Sequence, residues 1–541
     1  MLTPRFIVGF TGHRHLDKPE PIAAAIRTAL EQLREQARAA GGEIELFTSI
    51  AYGADTLAVE AARGLGIPVH LVLPKPIETD NDTGAVQLDQ NFPSDFWDKP
   101  DGGQKTFRQE DWDRAWKQIQ DAQHGIDGGT LRLVRGVQTD PECYYDTGIQ
   151  IAQASDVIIA VWDGKDSDEN KLGGTADIVA HVRTELNRPL LVIDAVSGAL
   201  HPEHLEHFAS ISEVQCREIS KVNELLGEPK SQGIIETEAI FTRLTSTAET
   251  EAGNFRSGLI RTIFLHGLAT IIAGFAAIMP DQGIKPVAVL MVLALIEFIL
   301  VFVAWRMSRA HAQRHTHERW LRARFGAELV RGLRAGSPFL DPLEPQVARH
   351  KPRWARFALM IGLMARREQD RSKTWQKRRT DYVNERLADQ LGYFAKEQQK
   401  ASTHMRQTQL VATLATGISP MVVFGALGYK VWHLVEIGLH GDDVASASFS
   451  WVLLGTKVLV LFLPIFFPLI ASIASGLRAA LDATRRTHRY DEMTARLQAT
   501  RAVISNLKTE SATRRTVVAT EEVLLDELIE WDLAEKQNGG H

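Results

Sequence analysis

Residues 5–14 read Arg5-Phe6-Ile7-Val8-Gly9-Phe10-Thr11-Gly12-His13-Arg14, an apolar run that closes on glycine, histidine and arginine. A short apolar run bounded by turn residues predicts a strand buried on both faces. Residues 20–40 follow with apolar positions at helical spacing, and the alternation then repeats. Strands are expected at 44–49, 69–73, 157–162 and 190–194, with helices at 54–65, 110–124, 145–154 and 175–186. Strands separated by helices of this length make βαβ units, hence an α/β domain with a parallel sheet covered on both faces. In such sheets ligands sit beyond the carboxyl ends of the strands.

The chemistry-bearing residues fall at those ends. After the first strand stand Thr11, Gly12, His13 and Arg14; after the second, Ser49-Ile50-Ala51-Tyr52-Gly53-Ala54-Asp55. After residues 157–162 come Trp162, Asp163 and Gly164, then Leu172-Gly173-Gly174-Thr175 at the start of a helix. Glycine lets backbone approach an anion closely, and amides at a helix start attract phosphate. Gly173, Gly174 and Thr175 are expected to offer that arrangement, with Arg14 supplying charge. Asp55 and Asp163 are placed to accept hydrogen bonds from ribose hydroxyls. Taken singly, a Gly-Gly-Thr run is more often a turn with a helix cap, and an acid such as Asp55 often caps its own helix.

The rest of the chain has a different texture. Four segments, residues 258–279, 286–305, 409–432 and 449–475, reach the roughly 20 mainly apolar residues that a bilayer span needs. Residues 286–305 hold one charge, Glu297, and no polar face, unlike a helix of a soluble core. A charge at mid-span faces protein or water, so Glu297 is a pore candidate; a ring of it in an oligomer would favour cations. A protonated or Lys-paired structural Glu is the plainer alternative.

Residues 306–404 carry about twenty Lys and Arg, whereas the hairpin tips at 280–285 and 436–447 carry almost none. By the positive-inside rule both tips lie outside and both termini inside. No secretory leader precedes the first strand, so the soluble part is expected in the cytoplasm. The expected division is a cytoplasmic sensing domain at 1–250, a transmembrane hairpin at 251–310 and a basic helical linker at 311–404. A second hairpin at 405–480 and C-terminal cytoplasmic helices at 481–541 complete it. Residues 352–367, apolar at the centre and flanked by Trp354 and arginines, fit either a helix in the membrane interface or a docked cytoplasmic helix.

Composition excludes some classes. Net charge is −6, without the basic excess that phosphate neutralisation needs, so no nucleic acid is expected as partner. Two cysteines, Cys143 and Cys216, are too few for a disulfide framework or a cysteine zinc site. His311, His315 and His317 lie in a basic helix without metal spacing, and no cofactor can be named.

Residues 5–195 resemble the SLOG superfamily, the Rossmann-like group that includes the LOG phosphoribohydrolases. The resemblance rests on Gly9-Phe10-Thr11-Gly12-His13-Arg14, on Gly53-Ala54-Asp55 before an Ala-rich helix, on Leu71-Val72-Leu73-Pro74 and on Gly173-Gly174-Thr175. With the attached spans it looks like the membrane-linked SLOG subgroup of bacterial anti-phage defence. That resemblance implies a nucleotide or NAD-derived ligand at the residues named above, a lipid bilayer as the second partner, and assembly as a homo-oligomer. It implies a sensor coupled to a transmembrane effector or ion channel.

The LOG signature Pro-Gly-Gly-x-Gly-Thr-x-x-Glu is incomplete here. Three residues after Thr175 stands Ile178, and the nearest acid, Asp177, is rotated by about 100° on the helix. A catalytic acid must reach its substrate within hydrogen-bond distance, so sensing is favoured over catalysis. The alternative is a membrane-anchored nucleotide hydrolase in which Asp55 and Asp163 act as a carboxylate pair, with or without a divalent metal.

Overall fold

The computed structural model describes residues 1–74, 78–79, 86–87, 109–133, 140–166, 173–227, 236–277, 284–314, 316–339, 343–370, 372–440, 457–480 and 483–538. The chain forms two compact units. Met1–Thr247, Arg322–Val383 and Val503–His541 make the first; Ala248–Leu321 and Asn384–Ala502 make the second.

The first unit is built on a seven-stranded sheet. Its strands are β1 (Arg5–Gly12), β2 (Glu43–Thr48), β3 (Val69–Leu73), β4 (Thr130–Leu133), β5 (Val157–Trp162), β6 (Leu190–Asp194) and β7 (Leu200–Glu203). They lie in the order β4-β3-β2-β1-β5-β6-β7, all parallel except the β6–β7 pair. The sheet is therefore mixed rather than wholly parallel. β4 and β7 were not expected: each is four residues long, and β7 carries Pro202, which an edge strand tolerates because it needs no ladder hydrogen bond there. Strand order reverses between β1 and β5, which makes their carboxyl ends the switch point of the fold.

Side chains alternate across this sheet as the pleat requires. Phe6, Val8 and Phe10 of β1, Ile44 and Leu46 of β2, and Leu71 and Leu73 of β3 face α1 (Pro19–Ala39), α2 (Ala54–Gly64) and α3 (Gln109–His124). On the opposite face, α4 (Asp140–Ala154) and α5 (Thr175–His181) cover Ile158, Ala160 and Trp162 of β5 and Val192 of β6. That leaves Ile7, Phe47 and Val72 on the same face. They are covered by Leu359 and Leu363 from the helix Ala355–Glu368, which lies far along the chain.

This helix is buried almost all round. Phe357, Ala358, Ile361 and Leu363 are inside, and Gly362 abuts the Glu344 carboxylate so closely that a Cβ there would push that carboxylate aside. The open choice for residues 352–367 is thus decided by burial in the first unit, against a helix lying on lipid. Ion pairs flank the seam: Arg356 meets Asp156, and the Arg367 guanidinium donates to Glu45 at 3.0 Å. Further helices complete the unit: Lys351 pairs with Asp532 at 2.6 Å, and the Tyr382 hydroxyl donates to Glu521 at 2.8 Å.

The second unit is helical. Three helices, Thr237–Ala276, Ala288–Arg309 and Trp375–Tyr429, are long and apolar enough to cross a membrane, and their apolar stretches are largely exposed. Phe264, Met291, Phe298, Met421 and Phe424 are among the outward-facing side chains. Of the expected fourth span, residues 449–456 lie outside the described residues; the remainder forms the shorter apolar helix Val460–Gly476. Just before Pro464 and Pro468 the backbone makes a π-turn, Val458–Phe462, consistent with the missing proline N–H and its clash one turn back. Glu297 is half-buried in the helix Ile284–Arg314.

Candidate functional site

The carboxyl ends of β1, β2 and β5 are tied together by the backbone of His13. Its N–H donates to the Val161 carbonyl at 3.1 Å, and its own carbonyl accepts from the Ala54 N–H at 3.1 Å. Its ring Nε2 accepts from the Asp163 N–H at 3.1 Å and lies 3.2 Å from the Asp163 carboxylate. His13 thereby joins Ala54 and Asp163 at the carboxyl edge of the sheet.

The glycines have a specific reason to be there. A Cβ on Gly12 would fall 2.4 Å from the Ala54 Cβ, and one on Gly53 would fall 2.2 Å from the Arg14 carbonyl oxygen. Gly53 also has φ of +94°, which L side chains rarely adopt. These two glycines serve close packing of the β1 and β2 loops upon each other.

Asp55 begins α2 and is buried. Burial pushes its carboxyl up to about 7, against the opposing influence of the Ala51 N–H and the Arg14 charge. One of its oxygens, Oδ1, has no hydrogen-bond partner among the described residues, and neither do the buried hydroxyl oxygens of Thr48 and Ser49 at the end of β2. Leaving such groups unsatisfied costs about 1–3 kcal/mol each. Asp163 is the opposite case. Its burial is slight, and the Lys165 amide and ammonium together with His13 hold its carboxyl below the usual range. The two acids thus differ in charge state near neutrality, and Asp163 is already engaged by its neighbours.

The Asp55 shift has a testable sign. Its folded pKa lies above the unfolded 3.8, so its contribution to stability is complete below that value and is lost as pH rises through about 7. Asp55→Asn keeps the shape and removes the ionisation penalty. The variant is expected to match the parent near pH 4 and to exceed it at pH 8 by roughly 3–4 kcal/mol, read from urea unfolding across pH.

A cleft of about 220 Å³ opens beside these loops, lined by Arg14, Tyr52, Gly53, Thr56, Glu60, Arg114 and Gln118, among others. Arg14 also lies over the Tyr144 ring, 5.2 Å from its centroid. Thr56, Arg114, Gln118 and Tyr144 are absent from the sequence reading, and Tyr52 appears there only as part of the Ser49–Asp55 run. Arg114 and Gln118 stand four apart on α3 and so share one helical face, a signal that was available but had no sheet edge to attach to.

The Gly173–Thr175 loop departs from expectation. The Gly173 and Gly174 amides donate to the Asp177 carboxylate at 2.8 and 3.2 Å, so these amides are occupied from within the chain. A ligand phosphate there would have to displace Asp177. Thr175 is buried, and Ile178 packs in the core with Val179 and Trp162. Trp162 itself is a core residue whose indole N–H donates to the Lys165 carbonyl at 2.8 Å, with Arg183 over its ring. Leu172 lies outside the described residues. Comparison with known proteins returns no matching family model, no matching curated protein and no matching solved structure.

Proposed function

We propose that this chain senses a nucleotide-type ligand at the carboxyl edge of its sheet and couples binding to an effector in the membrane. The observation that carries the reading is the convergence of three strand ends around the fold's switch point: among the described residues, buried oxygens of Thr48, Ser49 and Asp55 have no hydrogen-bond partner there, and the β2 loop at Gly53 also lines a cleft with Arg14 and Arg114. Buried acceptors and hydroxyls suit ribose or base edges, and the arginines suit phosphate. A SLOG-like ligand, nucleotide or NAD-derived, fits that chemistry.

In this proposal four spans form two hairpins in a bacterial inner membrane, with both tips outside and both termini cytoplasmic. The chains assemble as a homo-oligomer in which Glu297 lines a path for ions, and the setting is anti-phage defence. The chain passes between the two units at residues 247–248, 321–322, 383–384 and 502–503. The segment that completes the sheet face, Arg322–Val383, is thus continuous in sequence with candidate spans at both ends. A ligand that prefers one arrangement of that face shifts the equilibrium by its differential affinity.

A membrane-anchored nucleotide hydrolase is the second reading, favoured by one observation: Asp55, with its carboxyl near 7, is suited to general acid work. The burial of Ile178 where LOG enzymes carry glutamate counts against it.

The deciding experiment is a thermal-shift screen of the full chain in detergent with nucleotides, cyclic oligonucleotides and NAD derivatives, each hit then tested for turnover. At about 100 times its dissociation constant a ligand adds about 2.7 kcal/mol to the stability of the site-bearing unit. The expected result is a hit that emerges unchanged and loses its effect in Arg14→Ala. A hit that is cleaved, with cleavage lost in Asp55→Asn, replaces the sensor with the hydrolase. No shift with any nucleotide class defeats both.

A further inference from the structure

The turn between β7 and α6 (Glu206–Leu226) brings three ligating side chains together on the surface, away from the sheet edge just described. The His204 Nδ1 is 3.9 Å from a Glu206 carboxylate oxygen, and the His207 Nε2 is 4.0 Å from the same oxygen. All three ligand atoms lie within 4.8 Å of one another. The two imidazoles stack almost parallel, 5.3 Å between centroids and 10° between planes, so their ring edges are presented side by side.

The backbone beneath this cluster is pinned on both sides. Glu203, just before it, is held by a two-pronged contact from Arg183, with the Nε bond at 2.9 Å. Just after it, Phe208 is fully buried and meets Phe6 edge-on at 5.8 Å. Between these anchors His204 sits at φ of +53°, a left-handed conformation uncommon for residues with a side chain, though histidine is among those that adopt it more often. The His207 N–H closes the turn onto the His204 carbonyl at 3.0 Å. The left-handed turn sets His204 and His207 on the same side, and only the exposed side-chain torsions remain to be ordered.

We propose that His204, Glu206 and His207 form a binding site for a late first-row divalent cation such as zinc. Metal–nitrogen bonds of about 2.0–2.1 Å in tetrahedral geometry require ligand atoms roughly 3.3 Å apart. The 3.9 and 4.0 Å separations therefore close by well under an ångström, and the third, within 4.8 Å, by at most about 1.5 Å, which rotation of exposed side chains can supply. Two imidazoles and a carboxylate match zinc and its neighbours, not calcium or magnesium, which take mainly oxygen ligands. Three protein ligands leave the fourth position open, so the bound ion retains a water or accepts a donor from another molecule.

The test is zinc binding by the purified full chain, measured by equilibrium dialysis and metal analysis after chelator treatment. Magnesium in excess serves as the competitor. His207→Ala removes a ligand, and His204→Asn removes another while keeping a residue that tolerates positive φ. The expected result is one zinc per chain at this site, undisturbed by magnesium, with affinity reduced at least about tenfold in each variant. Circular dichroism of both variants should match the parent, because all three side chains are exposed. Zinc uptake equal in parent and both variants, or none in the parent, overturns the site.

Discussion

Cut after residue 250, the chain is expected to lose cooperative unfolding and to bind hydrophobic dyes, because one face of its sheet is completed from elsewhere. Ile7, Phe47 and Val72 share a cluster with Leu359 and Leu363, to which, among the described residues, the chain before residue 250 adds only Ile151 and Ala154 of α4. Deleting one buried leucine side chain costs about 2–5 kcal/mol, and the whole domain has only about 5–15 kcal/mol in hand. Removing both leucines with their helix therefore consumes most of the available stability. The measurement is urea unfolding of residues 1–250, alone and with an added peptide covering residues 344–370. The peptide should raise the midpoint, and a Leu359→Ala, Leu363→Ala peptide should not. A sharp transition that the peptide leaves unchanged would show that the α/β part closes its own core. The same double substitution in the full chain should lower the unfolding midpoint of the sheet-bearing unit.

The second large effect centres on Glu45, on the same face of the sheet. Its carboxylate is buried, and burial alone would raise its pKa. The His70 ring at 2.8 Å, with the charges of Arg367 and Arg5, more than offsets this and brings it down to about 2. His70 in turn bonds the Thr130 hydroxyl at 2.8 Å, so β2, β3 and β4 share one buried polar chain. Glu45→Ala leaves His70 and Arg367 facing an uncompensated gap and is expected to cost about 3–5 kcal/mol. The pH dependence has a definite direction. The folded pKa lies below the unfolded 4.5, so the contribution is present above that value and is lost as pH falls toward 2. Roughly 3 kcal/mol should disappear over that window in the parent, and a Glu45→Gln variant should have lost that acid limb. Unfolding midpoints measured from pH 6 down to pH 2 read this out directly. Asp55 acts with the opposite sign at higher pH, so the two carboxyls bracket a stability maximum between their titrations.

Much of the α/β part could be read before any coordinates. The strands at Arg5–Gly12, Glu43–Thr48, Val69–Leu73, Val157–Trp162 and Leu190–Asp194 fall within a residue or so of the expected runs, because an apolar strand between two helices leaves little choice of state. The site was legible as far as local motifs go. Thr11–Arg14, Gly53–Asp55 and Asp163 follow strand ends, and parallel strands put those ends on one edge. The roles of individual residues were less so. Gly173 and Gly174 looked like open amide donors until the Asp177 carboxylate was seen to take them, a contact set by the χ angles of one side chain. Arg114 and Gln118 belong to the cleft only because α3 packs beside α2.

The sequence by itself determined the class of each part: short continuous apolar runs between helices for the sheet, and long, nearly uncharged apolar runs for the candidate spans. Those are properties of consecutive residues, and hydrophobic burial acts on them wherever the chain goes. Only the tertiary structure decided where residues 352–367 belong. An apolar helix flanked by arginines suits a lipid surface and a protein face equally well. What distinguishes them is the pair of buried carboxylates, Glu45 and Asp156, that wait for Arg367 and Arg356 some 200 to 320 positions away in the chain. Burying those anions without their cations would be prohibitive, and no local pattern announces that the cations lie beyond two candidate spans.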